Sequence, residues 1–397
     1  MDLNQTPSAN RTHIAFFGVC NAGKSSVMNA ITNQEISLVS KIKGTTTDPV
    51  KKAMEILPLG AVTLIDTAGL DDIGKLGTMR VAKTMQILRQ TDIAIIVVDA
   101  TGALTQFEQD ILTHIKKAKI PYILAYNKAD LLPAGYSKSP EENSIYISAK
   151  TGQGIDKLKE KIAHLNTHKE KKYILKDLVQ SGDSVILVIP IDESAPKGRL
   201  ILPQQQVIRE LLDLKATAII SQVETLADTL NNLKAKPKLI ITDSQAFNAV
   251  NKIVPADINL TSFSILFARY KGNLALQLQA VKTLDTITND DTILISEGCT
   301  HHRQCNDIGT VKLPNWVRNY TAKNPKFIFT SGTQFPQDLS PYKLVIHCGA
   351  CMINEQEMKA RLQIATAQKV PMTNYGMVIA HTNGILKRTL AVFQNKK

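Results

Sequence analysis

The chain lacks the features that mark membrane, secreted and low-complexity proteins. Its longest apolar runs, at residues 93–98 and 185–189, are far shorter than the roughly 20 residues that span a bilayer. Residues 1–11 are polar and lack the apolar core of a signal peptide. Of the 397 residues, 44% are hydrophobic and 21% charged, which is a globular composition. We therefore expect a cytoplasmic, soluble protein of two or three domains.

Long runs of one charge are also missing. The net charge is +12, of which +9 falls within residues 171–397. A basic half suits an acidic protein partner, RNA or an anionic small molecule, but it contains no run of five like charges and no arginine-rich tail. A solvated surface explains the excess equally well, so charge alone does not select a partner.

Cysteine is scarce and unevenly placed. The five cysteines are Cys20, Cys299, Cys305, Cys348 and Cys351. An odd set in which four members cluster near the C-terminal end indicates metal or redox chemistry before disulfides in an intracellular protein.

The first strong motif follows an apolar strand predicted at residues 13–17. It reads G-x-x-x-x-G-K-S and leads into a helical pattern that extends through Ile31. Such a loop turns its backbone N–H groups towards phosphate oxygens, while the lysine reaches the β- and γ-phosphates and the serine binds Mg²⁺. The predicted nucleotide-binding residues of this loop are Gly18, Asn21, Ala22, Gly23, Lys24, Ser25 and Ser26.

Two further loops supply candidates for metal binding and hydrolysis. Thr46 lies in the sequence G-T-T-T-D, and Asp66 opens D-T-A-G directly after a strand predicted at residues 62–65. With Ser25, both are expected to complete the Mg²⁺ shell, and Gly69 is expected near the γ-phosphate. The candidate catalytic residues are therefore Lys24, Thr46, Asp66 and Gly69.

Two more motifs predict a guanine site. N-K-A-D ends in Asp130, whose carboxylate accepts two N–H bonds that guanine offers and adenine does not. S-A-K at residues 148–150 follows another short strand and supports the base. The predicted base-binding residues are Asn127, Lys128, Asp130, Ser148, Ala149 and Lys150. Five motifs in this order indicate a GTP-binding domain.

These motifs resemble the translation-factor-related GTPases, especially their tRNA-modification and ribosome-assembly branch, over about residues 12–165. Asn21 matches an asparagine that helps hold K⁺ in potassium-activated relatives, although a turn residue without an ion is the alternative. Leu70 stands where many GTPases carry a water-orienting glutamine. The resemblance therefore implies slow intrinsic hydrolysis that K⁺ stimulates.

Alternating strand and helix patterns predict two more α/β units with mostly parallel sheets. In the middle unit, strands are predicted at 184–189, 218–221 and 239–242, and helices at 203–214, 223–233 and 244–254. The expected fold class is α/β: an N-terminal P-loop GTPase domain (1–170), a dimerisation or scaffold domain (171–260) and a cluster-binding domain (261–397).

The third unit contains a second chemical signal. Cys299, Cys348 and Cys351 follow strands predicted at 292–296 and 343–346, and the carboxyl ends of parallel strands share one edge. Three thiolates with nearby histidines fit zinc or an iron–sulfur cluster, and incidental cysteines remain the alternative. The fourth ligand is ambiguous among His301, His347 and Cys305, which suits a 4Fe–4S cluster with one exchangeable iron.

With the GTPase motifs, C-T-H at 299–301 and H-C-G-A-C at 347–351 resemble the HydF family of FeFe-hydrogenase maturation GTPases over essentially the whole chain. The resemblance implies a 4Fe–4S cluster on Cys299, Cys348 and Cys351 with a labile fourth position. It also implies a homodimeric scaffold that accepts a di-iron precursor built with two radical-SAM maturases and delivers it to apo-hydrogenase.

Two other functions stay open. One is an RNA-linked GTPase for ribosome assembly or tRNA modification with a structural zinc site. The basic half favours it slightly, but the chain has no KH-like GxxG unit and no aromatic platform for RNA, so no nucleic-acid partner is expected. The other is a redox enzyme with a GTP switch, which needs a second cofactor motif that the sequence does not contain.

Overall fold

The computed structural model describes residues 6–33, 49–67, 75–133, 142–165, 172–191, 200–298 and 307–394. The chain divides into two compact units, residues 1–170 and 171–397. Strands that run mainly parallel alternate with helices in both units, which confirms the predicted α/β class. Within the described residues, the helices are all too short or too polar to cross a bilayer.

The first unit contains a six-stranded sheet. Its strands are β1 (Thr12–Phe17), β2 (Val50–Ile56), β3 (Gly60–Asp66), β4 (Ile93–Asp99), β5 (Tyr122–Asn127) and β6 (Ser144–Tyr146). Its helices are α1 (Lys24–Thr32), α2 (Lys75–Gln90), α3 (Gln106–Lys117) and α4 (Ile155–Leu165). The strand order is β2-β3-β1-β4-β5-β6, and β2 pairs antiparallel with β3 while the other pairs are parallel.

Helices cover both faces of this sheet. Ile14 and Phe16 of β1 pack in one core with α1 and α4, whereas Ala15 and Phe17 pack in a second core with α2 and α3. This alternation explains why β1 is apolar at residues 14–17 and β4 at residues 93–98: strands buried on both faces need no polar side. The polar residues gather instead where the parallel strands end.

The second unit contains two four-stranded sheets. Its strands are β7 (Ser184–Val188), β8 (Thr217–Ser221), β9 (Leu239–Thr242), β10 (Leu260–Ser262), β11 (Thr292–Ser296), β12 (Lys326–Thr330), β13 (Leu344–His347) and β14 (Met372–Asn374). Its helices are α5 (Leu202–Asp213), α6 (Leu226–Asn231), α7 (Phe247–Ile253), α8 (Phe263–Lys271), α9 (Leu274–Val281), α10 (Leu313–Thr321), α11 (Glu355–Ala367), α12 (Tyr375–Thr382) and α13 (Leu386–Leu390).

The two sheets of this unit have the same topology. Both are fully parallel, and their orders, β8-β7-β9-β10 and β12-β11-β13-β14, place the first strand between the second and the third. The registers also agree, because Val188 lies beside Thr242 in one sheet and Ser296 lies beside His347 in the other. The second unit is therefore a structural duplication.

A helix covers an edge strand of each sheet in this unit. Helix α9 packs against β14, and α13 packs against β10. Both of these strands lie at sheet edges, where unpaired backbone groups invite aggregation unless another element covers them. The contact between α13 and β10 joins the two halves of residues 171–397, which form one compact unit.

The expected boundary at 260/261 falls inside this arrangement. Leu260 is the first residue of β10, which pairs with β9 in the first of the two sheets, and α8 continues directly from it. The chain passes from one sheet to the other after α8. We propose that the division between the second and third domains lies near Gly272 rather than at 260.

Candidate nucleotide site and cysteine loop

The phosphate loop connects β1 to α1 and depends on two glycines. Gly18 has φ +150°, and a Cβ there would lie 2.3 Å from the Val97 carbonyl oxygen. Gly23 has φ +91°, and a Cβ there would lie 2.3 Å from Asn127 Nδ2. Both positions therefore require glycine, for backbone conformation and for space. The loop leads directly into α1, with Gly23 as the N-cap, so the positive end of the helix dipole lies at the loop, as the motif predicted.

Lys24 is held inside this loop. Its side chain is buried, and Nζ donates to the carbonyl oxygens of Gly18 at 3.0 Å and Val19 at 2.9 Å. These bonds keep the ammonium beside the N–H groups of the loop, where it adds a full charge to their partial ones. The arrangement suits a phosphate chain.

Two of the three expected Mg²⁺ ligands meet in the structure. Ser25 Oγ at the start of α1 donates to Asp66 Oδ2 at the end of β3, with a separation of 2.5 Å. The hydroxyl of Thr67, the residue directly after β3, donates to the Phe16 carbonyl oxygen at 2.6 Å and holds Thr67 against β1. The third expected ligand, Thr46, and the other catalytic candidate, Gly69, lie outside the described residues.

The residues predicted to bind the base form one connected network. Asn127 Nδ2 donates to the Ala22 carbonyl oxygen at 3.0 Å, and Asn127 Oδ1 accepts from the Ala149 N–H at 3.0 Å. Asn127 thus joins the phosphate loop to the S-A-K loop. Asp130 Oδ1 accepts from the Ser148 hydroxyl at 2.6 Å, so this hydroxyl orients the carboxylate.

The other predicted nucleotide-binding residues occupy more open positions. Asn21 is exposed and has a left-handed backbone conformation, with φ +61°. Ser26 is half-buried in the first turn of α1, and Lys150 is exposed beside the base loop. Nothing in the described contacts assigns these three residues to a ligand.

Sequence reasoning overlooked Asp99, which ends β4. Lys128 Nζ donates to Asp99 Oδ2 at 2.6 Å, and Thr101 donates to Oδ1 through its N–H at 3.0 Å and its hydroxyl at 2.6 Å. Partial burial opposes ionisation of Asp99, but the bonds from Lys128 and Thr101 outweigh it and lower the carboxyl pKa to about 2. Asp99 therefore stays ionised and positions Lys128. The available signal was its place at a strand end, like Asp66 and Asn127.

In the second unit, the strand ends that bear cysteines converge as predicted. The N–H of Gly298, after β11, donates to Cys348 Sγ at 3.0 Å, and the N–H of Cys348 donates to the Ser296 carbonyl oxygen at 3.0 Å. Cys351 follows in the same loop after β13. Cys299 comes directly after Gly298 and lies outside the described residues, as do His301 and Cys305.

The two thiols of this loop are poorly placed to ionise unaided. Burial raises the pKa of Cys348 to about 11, and the neighbouring Cys351 adds to that shift. Burial likewise raises the pKa of Cys351, although Lys271 opposes the change. Buried thiolates need a positive partner, and a metal centre supplies one. Within the described part of the chain, no three metal-binding side chains come together, since the third cysteine lies outside it.

His347 is fully buried, and both of its ring nitrogens are engaged. Arg361 Nη1 lies 2.9 Å from Nε2, and Nδ1 lies 2.8 Å from the Cys348 carbonyl oxygen. Because arginine only donates and a carbonyl only accepts, Nε2 is the acceptor and Nδ1 carries the proton. Burial, with a smaller contribution from Arg361, lowers the His347 pKa to about 3. This neutral, fully bonded ring is poorly suited to be the fourth ligand.

Arg361 is the centre of a buried hydrogen-bond network next to the cysteine loop. It is fully buried on α11, and its guanidinium donates to Glu357 Oε1 at 2.8 Å, the Gly332 carbonyl oxygen at 2.8 Å and Ser296 Oγ at 3.3 Å. A buried charge is tolerated only when it is paired and hydrogen-bonded. This network connects β11, β13 and α11, and sequence reasoning did not identify it.

Three family models match the chain. The hydrogen maturase F dimerization domain matches residues 174–272, and the hydrogen maturase F tetramerization domain matches residues 275–392. The 50S ribosome-binding GTPase family matches residues 13–128. Each of the two compact units is thus largely covered.

Curated relatives share only part of this architecture. The tRNA modification GTPase MnmE of Chromobacterium violaceum is 36% identical over 160 residues, which is 38% of this chain and 34% of that protein. GTPase Der of Mycoplasmopsis pulmonis is 35% identical over 187 residues, 42% of this chain and 43% of that protein. The chain therefore spans less than half the length of these relatives.

Solved structures resemble the chain over about half its length. Aquifex aeolicus Era bound to GDP and aluminium fluoride is 22% identical, with a TM-score of 0.36 over 53% of this chain and 92% of that one. Era in complex with MgGDPNP and a segment of 16S ribosomal RNA is 20% identical, with a TM-score of 0.36 over 53% and 91%.

Proposed function

The chain belongs to the hydrogen maturase F family of GTPases, and we propose that it is a GTP-hydrolysing scaffold for FeFe-hydrogenase maturation. In this role it binds a 4Fe–4S cluster and delivers a di-iron precursor to apo-hydrogenase. One observation carries the cluster assignment. The Gly298 N–H donates a hydrogen bond to Cys348 Sγ. The chain therefore contacts the C-x-x-C loop one residue before Cys299.

The donor chemistry fits an iron–sulfur cluster. Cys299, Cys348 and Cys351 would hold it, and these are soft thiolate ligands of the kind that such clusters use. When bound, the cluster supplies an iron with a coordination position open to an incoming ligand. Since both nitrogens of His347 are engaged, His301 and Cys305 remain as candidates for the fourth ligand.

The residues of the first unit suit GTP hydrolysis. Lys24 and the loop N–H groups bind the phosphates and stabilise the charge that develops on them, while Ser25 and Asp66 hold Mg²⁺. Thr46 and Gly69 are proposed to complete this site from the loops in which they lie. GDP and phosphate are the products.

Partners follow from the family. The chain carries both oligomerization domains of hydrogen maturase F, which supports a homo-oligomer, and a dimer is the proposed minimal form. The two radical-SAM maturases and apo FeFe-hydrogenase are the proposed partners in the cytoplasm. No nucleic-acid partner is proposed.

Anaerobic purification followed by iron and sulfide assays and low-temperature EPR tests the cluster assignment. We expect about four irons and four sulfides per chain, with the EPR signal of a reduced cubane. Stoichiometric zinc without sulfide would overturn the proposal. It would favour the alternative in which an RNA-linked GTPase carries a structural zinc site.

The base site leads to a prediction of nucleotide preference. In Asp130→Asn, an amide replaces the carboxylate that accepts from guanine, while the amide oxygen still accepts from Ser148. We expect GTP affinity to fall about 100-fold or more and xanthine nucleotides to bind better than in the wild type. Titration with GTP, XTP and ATP measures this, and equal affinity of the wild-type protein for ATP and GTP would contradict the assignment.

The phosphate loop leads to a prediction about monovalent cations. If Asn21 holds K⁺ against the phosphates, hydrolysis in KCl should exceed that in matched NaCl by about tenfold or more, because K⁺ stabilises charge that develops in the transition state. Asn21→Ala should lose this difference. Equal rates in the two salts, or an Asn21→Ala variant that stays fully K⁺-dependent, would remove the hypothesis.

A further inference from the structure

Lys271 is the last residue of α8 and lies under the C-x-x-C loop with only 3% of its surface exposed. Its Nζ donates to the carbonyl oxygens of Ala350 at 2.9 Å, Ile353 at 2.9 Å and Cys351 at 3.4 Å. An ammonium has three N–H donors, and all three are directed to this one loop. A residue of α8, the helix that follows the first sheet of this unit, thus reaches the cysteine loop of the second sheet.

The shape of the loop requires such a donor. Ala350 has φ +55°, the left-handed conformation, so the chain folds back between Cys348 and Cys351. This turn brings three carbonyl oxygens towards one point, where their partial negative charges repel one another. The Lys271 ammonium satisfies all three oxygens and stabilises the fold of the loop.

The charge of Lys271 also needs a partner. Lysine is almost never fully buried without one, and carbonyl dipoles alone offset a full charge only in part. The nearby Glu355 carboxylate already pairs with Lys172 at 2.7 Å and Lys359 at 2.8 Å. Ligating thiolates of Cys348 and Cys351 would supply negative charge directly at this loop.

We propose that Lys271 is a positioning residue for the cluster: its ammonium holds the C-x-x-C loop in the ligating conformation, and its charge offsets that of the ligating thiolates. The inference rests on the cluster of the proposed function. Two consequences follow from the two roles. Loss of the hydrogen bonds should loosen the ligands, and loss of the positive charge should disfavour the reduced, more negative cluster.

The test compares Lys271→Met with Lys252→Met, a matched change at an exposed lysine of α7. Full-length proteins are reconstituted anaerobically with iron and sulfide, and thermal unfolding and GTP hydrolysis establish that they are folded. In Lys271→Met we expect iron loss to a chelator to be about tenfold faster, as for other residues that support ligands, and the reduction potential to be lower than in the wild type. Lys252→Met should match the wild type in both measurements.

Unchanged iron loss or an unchanged potential in folded, loaded Lys271→Met would overturn the inference. If that variant does not fold, Lys271→Arg decides the matter, because arginine keeps the charge but presents a planar fork in place of three tetrahedral donors. It should keep the wild-type potential and lose iron faster, and a wild-type rate of loss would overturn the inference. A wild-type protein that takes up no iron and sulfide would instead overturn the proposed function.

Discussion

In Cys348→Ser, the iron and sulfide content after reconstitution is expected to fall at least about tenfold below the wild-type values. Loss of a residue that merely supports a ligand already costs about 10- to 100-fold in metal affinity, and a thiolate ligand contributes more. Cys348 Sγ also accepts a hydrogen bond from the Gly298 N–H, so the change weakens the contact between the chain after β11 and the chain after β13. Iron, sulfide and EPR assays measure the loss.

The matched control is Cys20→Ser, the same substitution in the phosphate loop of the other unit, which should keep the full iron content. Cys299→Ser and Cys351→Ser should behave like Cys348→Ser.

His301 and Cys305, the remaining candidates for the fourth position, should behave differently from those cysteines. His301→Ala should keep most of the iron and alter the EPR signal and maturation, and Cys305→Ser should lose little iron. Full cluster content in Cys348→Ser, or complete loss in Cys305→Ser alone, would contradict the ligand set.

In Lys24→Ala, nucleotide affinity is expected to fall about 10- to 100-fold, because a charge-assisted bond to phosphate contributes about 1.5–3 kcal/mol. Hydrolysis should fall further, by about 10²- to 10³-fold, since the same ammonium stabilises charge that develops in the transition state. Nucleotide titration and phosphate release at saturating GTP separate the two effects.

Iron content should not change in Lys24→Ala, because the cysteine loop belongs to the other compact unit. Lys117→Ala, at an exposed lysine of α3, is the control and should keep wild-type binding and turnover. An unaltered affinity in Lys24→Ala, or a loss of iron that Lys117→Ala does not share, would contradict this assignment.

Much of the fold was predictable because apolar strands end at recognisable motifs. The strands predicted at 239–242 and 292–296 form with the same bounds, and the helix predicted at 203–214 forms as α5, Leu202–Asp213. The helix predicted at 244–254 instead divides into a 3₁₀ turn, Ser244–Ala246, and α7.

Two strands were missed for a physical reason. β10 and β14 contain three residues each and continue directly into α8 and α12, so neither shows the alternation that indicates a strand. Their place depends on pairing with β9 and β13, which are distant in sequence.

The nucleotide chemistry could be predicted from local sequence, because the phosphate loop lies on one strand, one turn and one helix, where spacing dictates geometry. The surroundings of the cysteines depend instead on contacts between segments that are distant in sequence. The sequence makes His347 a candidate ligand, but in the structure Arg361, 14 residues later, donates a hydrogen bond to its Nε2. Lys271 had no local signal, since the carbonyl groups that it binds follow 79 to 82 residues later. Burial and hydrogen bonding of this kind arise only when distant segments pack together.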